Sequence, residues 1–434
     1  MKEEYLHYLW KLKRLPLNNL KTVNNESLEI IDSGWLNNDT GPDFFNGKIR
    51  LNNMTWSGNI ELHINASDWY KHNHQNDEAY NNVILHVVYE YDKPVFIDGN
   101  EVPALELKRY IDLDHFSTYN SLFKLNSFIP CESFFKEDLI SIQQQIDVAL
   151  FHRLERKSNE LSIIREKRSL MNRRHVLMSS VFGAFGMRVN KFPFEELAQR
   201  LPFDVLMKES WDYNRLEAIV FGIAGLLNTK QEDAFIINLK SEWIHLKSKY
   251  NFEEMNSSAW KFGGVRPYNF PSIRIAQLVS FLSKWDFSDL TGLDANEIYE
   301  KYAKFLDGQT SEYWNNHLRF GIESKLNNQN ITRDMRDLIL INGVVPYLIY
   351  LKQYYNDFQA GDVAMDLLEL IRPESNAVIK QWKNLGVQIN SAMDTQGLVE
   401  LKTQFCDFNR CLNCKIGHKL MEGTTVHDFY DFYD

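Results

Sequence analysis

A chain of 434 residues has room for two or three domains and is too long for a single small module. Its net charge of −10 excludes a polybasic membrane or histone-like binder, so any nucleic-acid surface must be a local patch. Hydrophobic residues at 44% with 20 Gly and 11 Pro exclude disordered, collagenous and coiled-coil material, and four cysteines are too few for a disulfide scaffold.

The opening MKEEYLHYLWKLKRL lacks the basic, apolar and small-residue succession of a signal peptide, which points to the cytoplasm. Instead Tyr5, Leu6, Leu9, Trp10 and Leu12 recur at helical spacing and predict an amphipathic helix over 3–15. Alternation then marks strands at 27–32, 47–53 and 55–65, with Asn52-Asn53 as a hairpin turn and Gly41-Pro42-Asp43 as a break. Ser67 is a natural N-cap for a short helix, and VILHVVYEY (83–91) is too uniformly apolar for an edge strand. A last hairpin is expected around Gly99-Asn100. Past residue 137 the period becomes 3.6, interrupted by Pro, Gly and Asn. The longest mostly apolar run, Leu338 to Leu351, has 14 residues, short of the roughly 20 that span a bilayer. It predicts a buried helix or kinked pair and no membrane partner. The expected fold is therefore α+β: a mixed α/β domain over 1–115, a connection over 116–136, and an all-helical domain over 137–434.

Within the 55–65 strand, Ile60, Leu62 and Ile64 face one side of the sheet while Glu61 and His63 share the other. Asp43, just before the preceding strand, can bring its carboxylate beside Glu61. Two converging acidic oxygens suit a hard divalent cation such as Mg²⁺ or Mn²⁺, and His63 fits a group that orients or deprotonates a metal-bound water. GPDF at 41–44 and ELH at 61–63, in a helix, three-strand meander, helix, strand order, resemble the PD-(D/E)XK nuclease superfamily. The resemblance implies a restriction-endonuclease-like mixed sheet flanked by helices and metal-dependent phosphodiester hydrolysis of DNA or RNA. It implies Asp43 and Glu61 as metal ligands and an assisting carboxylate on the first helix, Glu3 or Glu4. His63 stands where the superfamily usually has lysine, and Gln75 and Tyr80 are five apart where RecB-like members space a Gln and Tyr by four. With histidine in that place, a scaffold that has lost catalysis is a second reading, and a hydrolase of a non-nucleic substrate acting through the histidines a third. Asp98 with Glu106-Leu107-Lys108 is a rival acid-x-Lys pattern.

Four histidines, His63, His72, His74 and His86, fall within 24 residues, with His115 later and Asp68 and Asp77 interspersed. Imidazoles with carboxylates bind Zn²⁺, Mn²⁺ or Fe²⁺, and a His-x-His pair in a loop can chelate one ion. The spacing matches no closed zinc motif. His86, inside an apolar strand, reads as a hydrogen-bonded core residue, whereas His72, His74 and Gln75 read as support beside Glu61.

Cys406, Cys411 and Cys414 form C-x4-C-x2-C, and Cys131 stands alone. Thiolates at that spacing suit Zn²⁺ or an iron–sulfur cluster, with His418 as a competing fourth ligand; buried structural thiols are the other reading. One distant and three C-terminal cysteines are similar in outline to RecB- and CRISPR-associated nucleases, a resemblance that implies an iron–sulfur cluster.

Between His152 and His175, eight basic residues, Arg153, Arg156, Lys157, Arg165, Lys167, Arg168, Arg173 and Arg174, stand against three Glu. That local excess could neutralise phosphates of DNA or RNA, or form a solvated helix face. A second patch, 260–278, interleaves Arg266 and Arg274 with Trp260, Phe262, Tyr268 and Phe270, suited either to base stacking or to closing a loop over the core. Finally, GPDFFNGKI, ELHINASDWYKHNHQNDEAYNNVILHVV, EAIVFGIAGLL and RPYNFPSIRIAQL look like the bacterial family DUF2851 over nearly the whole chain, a resemblance that implies no particular activity.

Overall fold

A computed structural model describes residues 1–37, 40–111, 116–117, 119, 127–132, 139–167, 173–325 and 329–422. The chain divides into two compact units, Met1–Ser141 with Phe405–Asp434, and Ile142–Gln404. The expected helical domain ran to 434; the division instead returns the segment after residue 404 to the first unit.

In the first unit, helix α1 (Glu3–Lys11) is followed by strands β1 (Leu20–Lys21), β2 (Ser27–Asp32), β3 (Trp35–Leu36), β4 (Phe44–Leu51) and β5 (Met54–Asn65). Then come the one-turn helix α2 (Asp68–Lys71), β6 (Val83–Glu90), the short β7 (Phe96–Ile97) and β8 (Asn100–Glu101), and β9 (Ala104–Glu106). The main sheet runs β1-β2-β4-β5-β6-β9, with β3 on β4. β2, β4 and β5 form an antiparallel meander, and β6 lies parallel to both β5 and β9, interior to the sheet as its apolar sequence requires. Asn52 adopts φ +52° in the β4–β5 turn, a left-handed position that asparagine tolerates. Tyr5, Leu6, Leu9 and Trp10 of α1 bury against Phe44, Ile49, Ile60, Leu62, Leu85 and Val87 on one sheet face, while Glu61, His63 and His86 lie on the other beside a smaller cluster of Trp69, Tyr80, Val83, Val95 and Val102.

Two local expectations shift. The last hairpin turns at Asp98 and Gly99, both at positive φ, and joins β7 to β8, while β9 leaves it to pair with β6. Ser67 precedes α2 without a side-chain capping bond; the Asp68 carboxylate instead accepts the Asn65 amide at 2.9 Å.

The second unit is helical, as the period predicts, with one addition: a small hairpin of His317–Arg319 and Ile322–Glu323. The helix Pro271–Leu282 is buried along its whole length and anchors a large apolar core. The 338–351 run is helical throughout, with Arg333–Ile339 and Val345–Tyr355 joined through a π-helical turn at Leu340–Val344. Among the described residues, no helix is long and apolar enough to cross a membrane.

Candidate metal centre

Strand register builds the site. Phe44 pairs with Ile60 across β4 and β5, which sets Asp43, one residue before β4, opposite Glu61. The two clamp each other: the Asp43 amide donates to Glu61 Oε2 at 3.0 Å, and Asp43 Oδ2 accepts the Leu62 amide at 2.9 Å. His63 follows on the same face. Its Nδ1 lies 2.8 Å from Nε2 of His86, which the parallel β5–β6 register places opposite Glu61. His63 Nε2 points the other way, 3.1 Å from His72 Nδ1 and 3.5 Å from Glu61 Oε1. His74 Nε2 is 3.3 Å from that same Oε1. A donor nitrogen from each of His63, His72 and His74 lies within 4.8 Å of the other two.

The segment after β5 delivers the two loop imidazoles. His72 ends α2, and Asn73, at φ +68°, turns the chain so that His74 returns to the same centre. Trp69 then packs edge-on against His74 and His86 at 5.5 and 5.4 Å, and Tyr80 stacks on His74 at 3.9 Å. These contacts fix ring orientations that an open loop would leave free.

Glu61 is 4% exposed, and burial raises its carboxyl, opposed by the His74 hydrogen bond and reinforced by Asp43. Burial also raises Glu3, with Asp43 and Glu61 adding to the effect. Three carboxylates therefore stand within electrostatic reach of one another. Burial, followed by the neighbouring imidazoles, pushes His63 down to about 3, and burial does the same to His86. His7 Nε2 lies 3.2 Å from Asp43 Oδ2; burial lowers its pKa, but the Asp43 hydrogen bond and charge outweigh it and the net shift is upward.

The structure thus brings Asp43, Glu61, His63, His72 and His74 together. Glu4, one of the two expected helix carboxylates, is exposed; the helix register turns Glu3 and, one turn on, His7 toward Asp43. Sequence reasoning missed His7, although its i,i+4 spacing from Glu3 was a usable signal. Gln75 is exposed and bonds Asn73 at 3.1 Å, away from Glu61. His86 is buried as expected, but its partner is His63. The rival motif does not assemble: Lys108 pairs with Glu90 at 3.1 Å and Glu106 with Arg109 at 3.1 Å. His115 lies outside the described residues.

All four cysteines line one cavity of the first unit, with Pro130, Phe405, Arg410 and Gly417. Cys131 is the fourth sulfur; His418 packs on Tyr8, ring centroids 5.4 Å apart, and is absent from the lining. Gly417 makes the close approach possible, since a Cβ there would sit 1.9 Å from the Cys411 carbonyl oxygen. Burial raises the Cys131 and Cys414 thiols and takes Cys411 up to about 12.

The basic segment is largely engaged inside the second unit. Arg156 forks onto Glu400 at 2.9 and 2.8 Å, and Arg153 reaches the same carboxylate at 3.2 Å. Lys157 lies 3.8 Å from Glu160, Arg173 lies 3.4 Å from Asp289, and Arg174 sits over the Phe203 ring. The Arg165 side chain and Arg168 lie outside the described residues. In the second patch Arg266 is exposed, while Arg274 is buried and bonds Gln277 at 2.7 Å, so this segment mainly closes over the core.

Fold and site together define an α+β protein whose mixed sheet carries a histidine–carboxylate centre at the mouth of two adjacent strands. The chain belongs to the family described as "Protein of unknown function (DUF2851)", whose model matches residues 3–377. That match takes in the whole centre and Cys131, and stops before the three C-terminal cysteines. No curated protein and no solved structure matches the chain.

Proposed function

We propose that this protein is a metal-dependent phosphodiester hydrolase of DNA or RNA with a nuclease-like first domain. The observation that carries the reading is the reciprocal clamp of Asp43 and Glu61 at adjoining strand ends. Support comes also from the element order, a helix, an antiparallel meander, a short helix and a parallel strand, which is the order of the PD-(D/E)XK core. The donor set fits a divalent cation: Asp43 and Glu61 oxygens are fixed by backbone amides, and the Glu3 and Glu61 carboxyls, both raised chiefly by burial, stand beside the Asp43 carboxylate. Asp43 and Glu61 would hold Mg²⁺ or Mn²⁺, with Glu3 assisting. When bound, such an ion polarises a phosphoryl oxygen and lowers the pKa of water. The backbone clamp keeps both carboxylates oriented, and Trp69 and Tyr80 hold the neighbouring imidazoles in place. The test is cleavage of labelled DNA and RNA with added Mg²⁺ or Mn²⁺. Glu61→Gln, which preserves shape, should abolish cleavage while the thermal melt persists; cleavage surviving in that variant rejects the assignment.

A second reading, hydrolysis of a non-nucleic substrate at the same centre, is favoured by the engagement of Arg153 and Arg156 with Glu400, which removes them from a phosphate-binding surface. We further propose that Cys131, Cys406, Cys411 and Cys414 hold a metal group. All four line one cavity, which suits Zn²⁺ or an iron–sulfur cluster.

A further inference from the structure

We infer that His63, His72, His74 and Glu61 form a four-donor site for a first-row transition-metal ion of the Zn²⁺, Mn²⁺ or Fe²⁺ class, with the imidazoles as principal ligands. The inference concerns which ion the centre holds and not what it cleaves; of the two ions named for the phosphodiester reading it retains Mn²⁺ and sets Mg²⁺ aside.

Distances carry the argument. Metal–nitrogen bonds of about 2.0–2.1 Å place neighbouring ligand atoms of a tetrahedral site about 3.3–3.4 Å apart. Three of the six separations among His63 Nε2, His72 Nδ1, His74 Nε2 and Glu61 Oε1 are 3.1, 3.5 and 3.3 Å. The three imidazoles have donor atoms all within 4.8 Å of one another, and Glu61 Oε1 lies beside His63 and His74, so these side chains already converge near ligand-to-ligand spacing. His74 Nε2 is buried and 3.3 Å from Glu61 Oε1.

The outer contacts agree. With His63 Nε2 as a ligand, its Nδ1 must carry the proton, and at 2.8 Å it donates to His86 Nε2. His86 is then a positioning residue, fixing the tautomer and ring plane of His63 from within the parallel strand pair. Trp69 and Tyr80 hold His74 and His86 through their ring faces and edges. Magnesium takes oxygen ligands and retains its waters, so it would leave three imidazoles unused, whereas zinc, iron and their neighbours accept them. This assignment makes His63 a ligand and not the proton acceptor that its sequence position suggests.

Full-length protein stripped of metal is titrated with Co²⁺, whose visible d–d bands report coordination number and donor type. The expected result is a set of intense bands of a four- or five-coordinate site, displaced by Zn²⁺ and unaffected by excess Mg²⁺. His72 is exposed, so His72→Ala should fold normally, as a thermal melt checks, and should weaken Co²⁺ binding by about 100-fold or more, since outer-shell partners alone are worth about 10–100-fold. His74→Asn, whose ring stacks on Tyr80, provides a second variant with the same expected loss. Thiolate-to-cobalt charge transfer in the near ultraviolet reports the cysteines separately and should be unchanged in both. Visible bands and a Co²⁺ stoichiometry equal to the parent's in both variants, or a parent whose intense bands are those of the thiolate site alone, overturn the assignment. Cleavage is assayed separately, so absence of cleavage beside intact cobalt bands rejects the hydrolytic reading and supports this one.

Discussion

Glu400→Ala removes a carboxylate that serves three basic side chains. Glu400 Oε1 lies 3.0 Å from His152 Nδ1 and accepts from Arg156 Nε at 2.9 Å, while Oε2 accepts from Arg156 Nη2 at 2.8 Å and Arg153 Nη1 at 3.2 Å. Its side chain is fully buried, and that of Arg153 is 13% exposed. Removing one partner of a buried ion pair leaves an uncompensated charge and costs about 3–5 kcal/mol. Arg156 is one-third exposed and can turn to water, so the lower end, about 3 kcal/mol, is the expected loss. At about 2–4 °C per kcal/mol for a unit of this size, the melt should fall by about 6–12 °C. Burial opposes ionisation of Glu400, but the arginines outweigh it and hold the carboxyl below its usual range. Its contribution is therefore complete above the unfolded-state pKa and lost as pH falls through the folded one, so the gap between parent and variant should close on acidification. Arg156→Ala should lower the melt in the same way without changing how nucleic-acid affinity depends on salt. A Glu400→Ala melt unchanged from the parent, or a salt slope in Arg156→Ala reduced by about 0.9, the value of one phosphate contact, would refute the structural assignment.

Glu217 is 1% exposed, and burial raises its carboxyl to about 7 against the opposing hydrogen bonds of Trp314 and Ser311. The neutral form is favoured in the folded state, so stability is greatest below the unfolded pKa and declines as pH rises toward 7, by about 3 kcal/mol in all. Glu217→Gln keeps an Oε1 acceptor for both donors and should remove that decline in chemical denaturation series; parallel pH profiles for parent and variant would contradict this. Cys131→Ser should lower the iron or zinc content of purified protein measured by elemental analysis, and unchanged content in that variant would remove Cys131 from the ligand set.

Much of the site was legible because strand alternation has a period of two: once Glu61 was placed on a strand, His63 shared its face and Asp43 could only meet it from the neighbouring strand. What alternation cannot reveal is the return of a loop. His72 and His74 reach Glu61 because Asn73 takes a left-handed conformation and Trp69 buries beneath them, both tertiary outcomes. Glu3 and Glu4 differ by one residue, hence by about 100° around the helix, and their sequence gave no phase relative to the sheet. The charge run around Arg156 was visible, yet its partner Glu400 lies 244 residues away and no local pattern announces it. The four cysteines were grouped by chemistry alone, and the return of the chain after residue 404 to the first unit is what brings Cys131 beside the other three.

That return has a consequence for the order of maturation. The unit Ile142–Gln404 is continuous in sequence and has its own apolar core, so it can fold while the chain is still being made. The first unit is divided, and Cys131 emerges from the ribosome hundreds of residues ahead of Cys406. At about 5–20 residues per second, the sheet and its histidine trio wait on the order of tens of seconds for the segment that closes the cysteine cavity. The cysteine cavity can therefore close only after the helical unit has been made. A nascent chain stopped at residue 404 would contain the whole helical unit and every histidine of the trio, but a single cysteine.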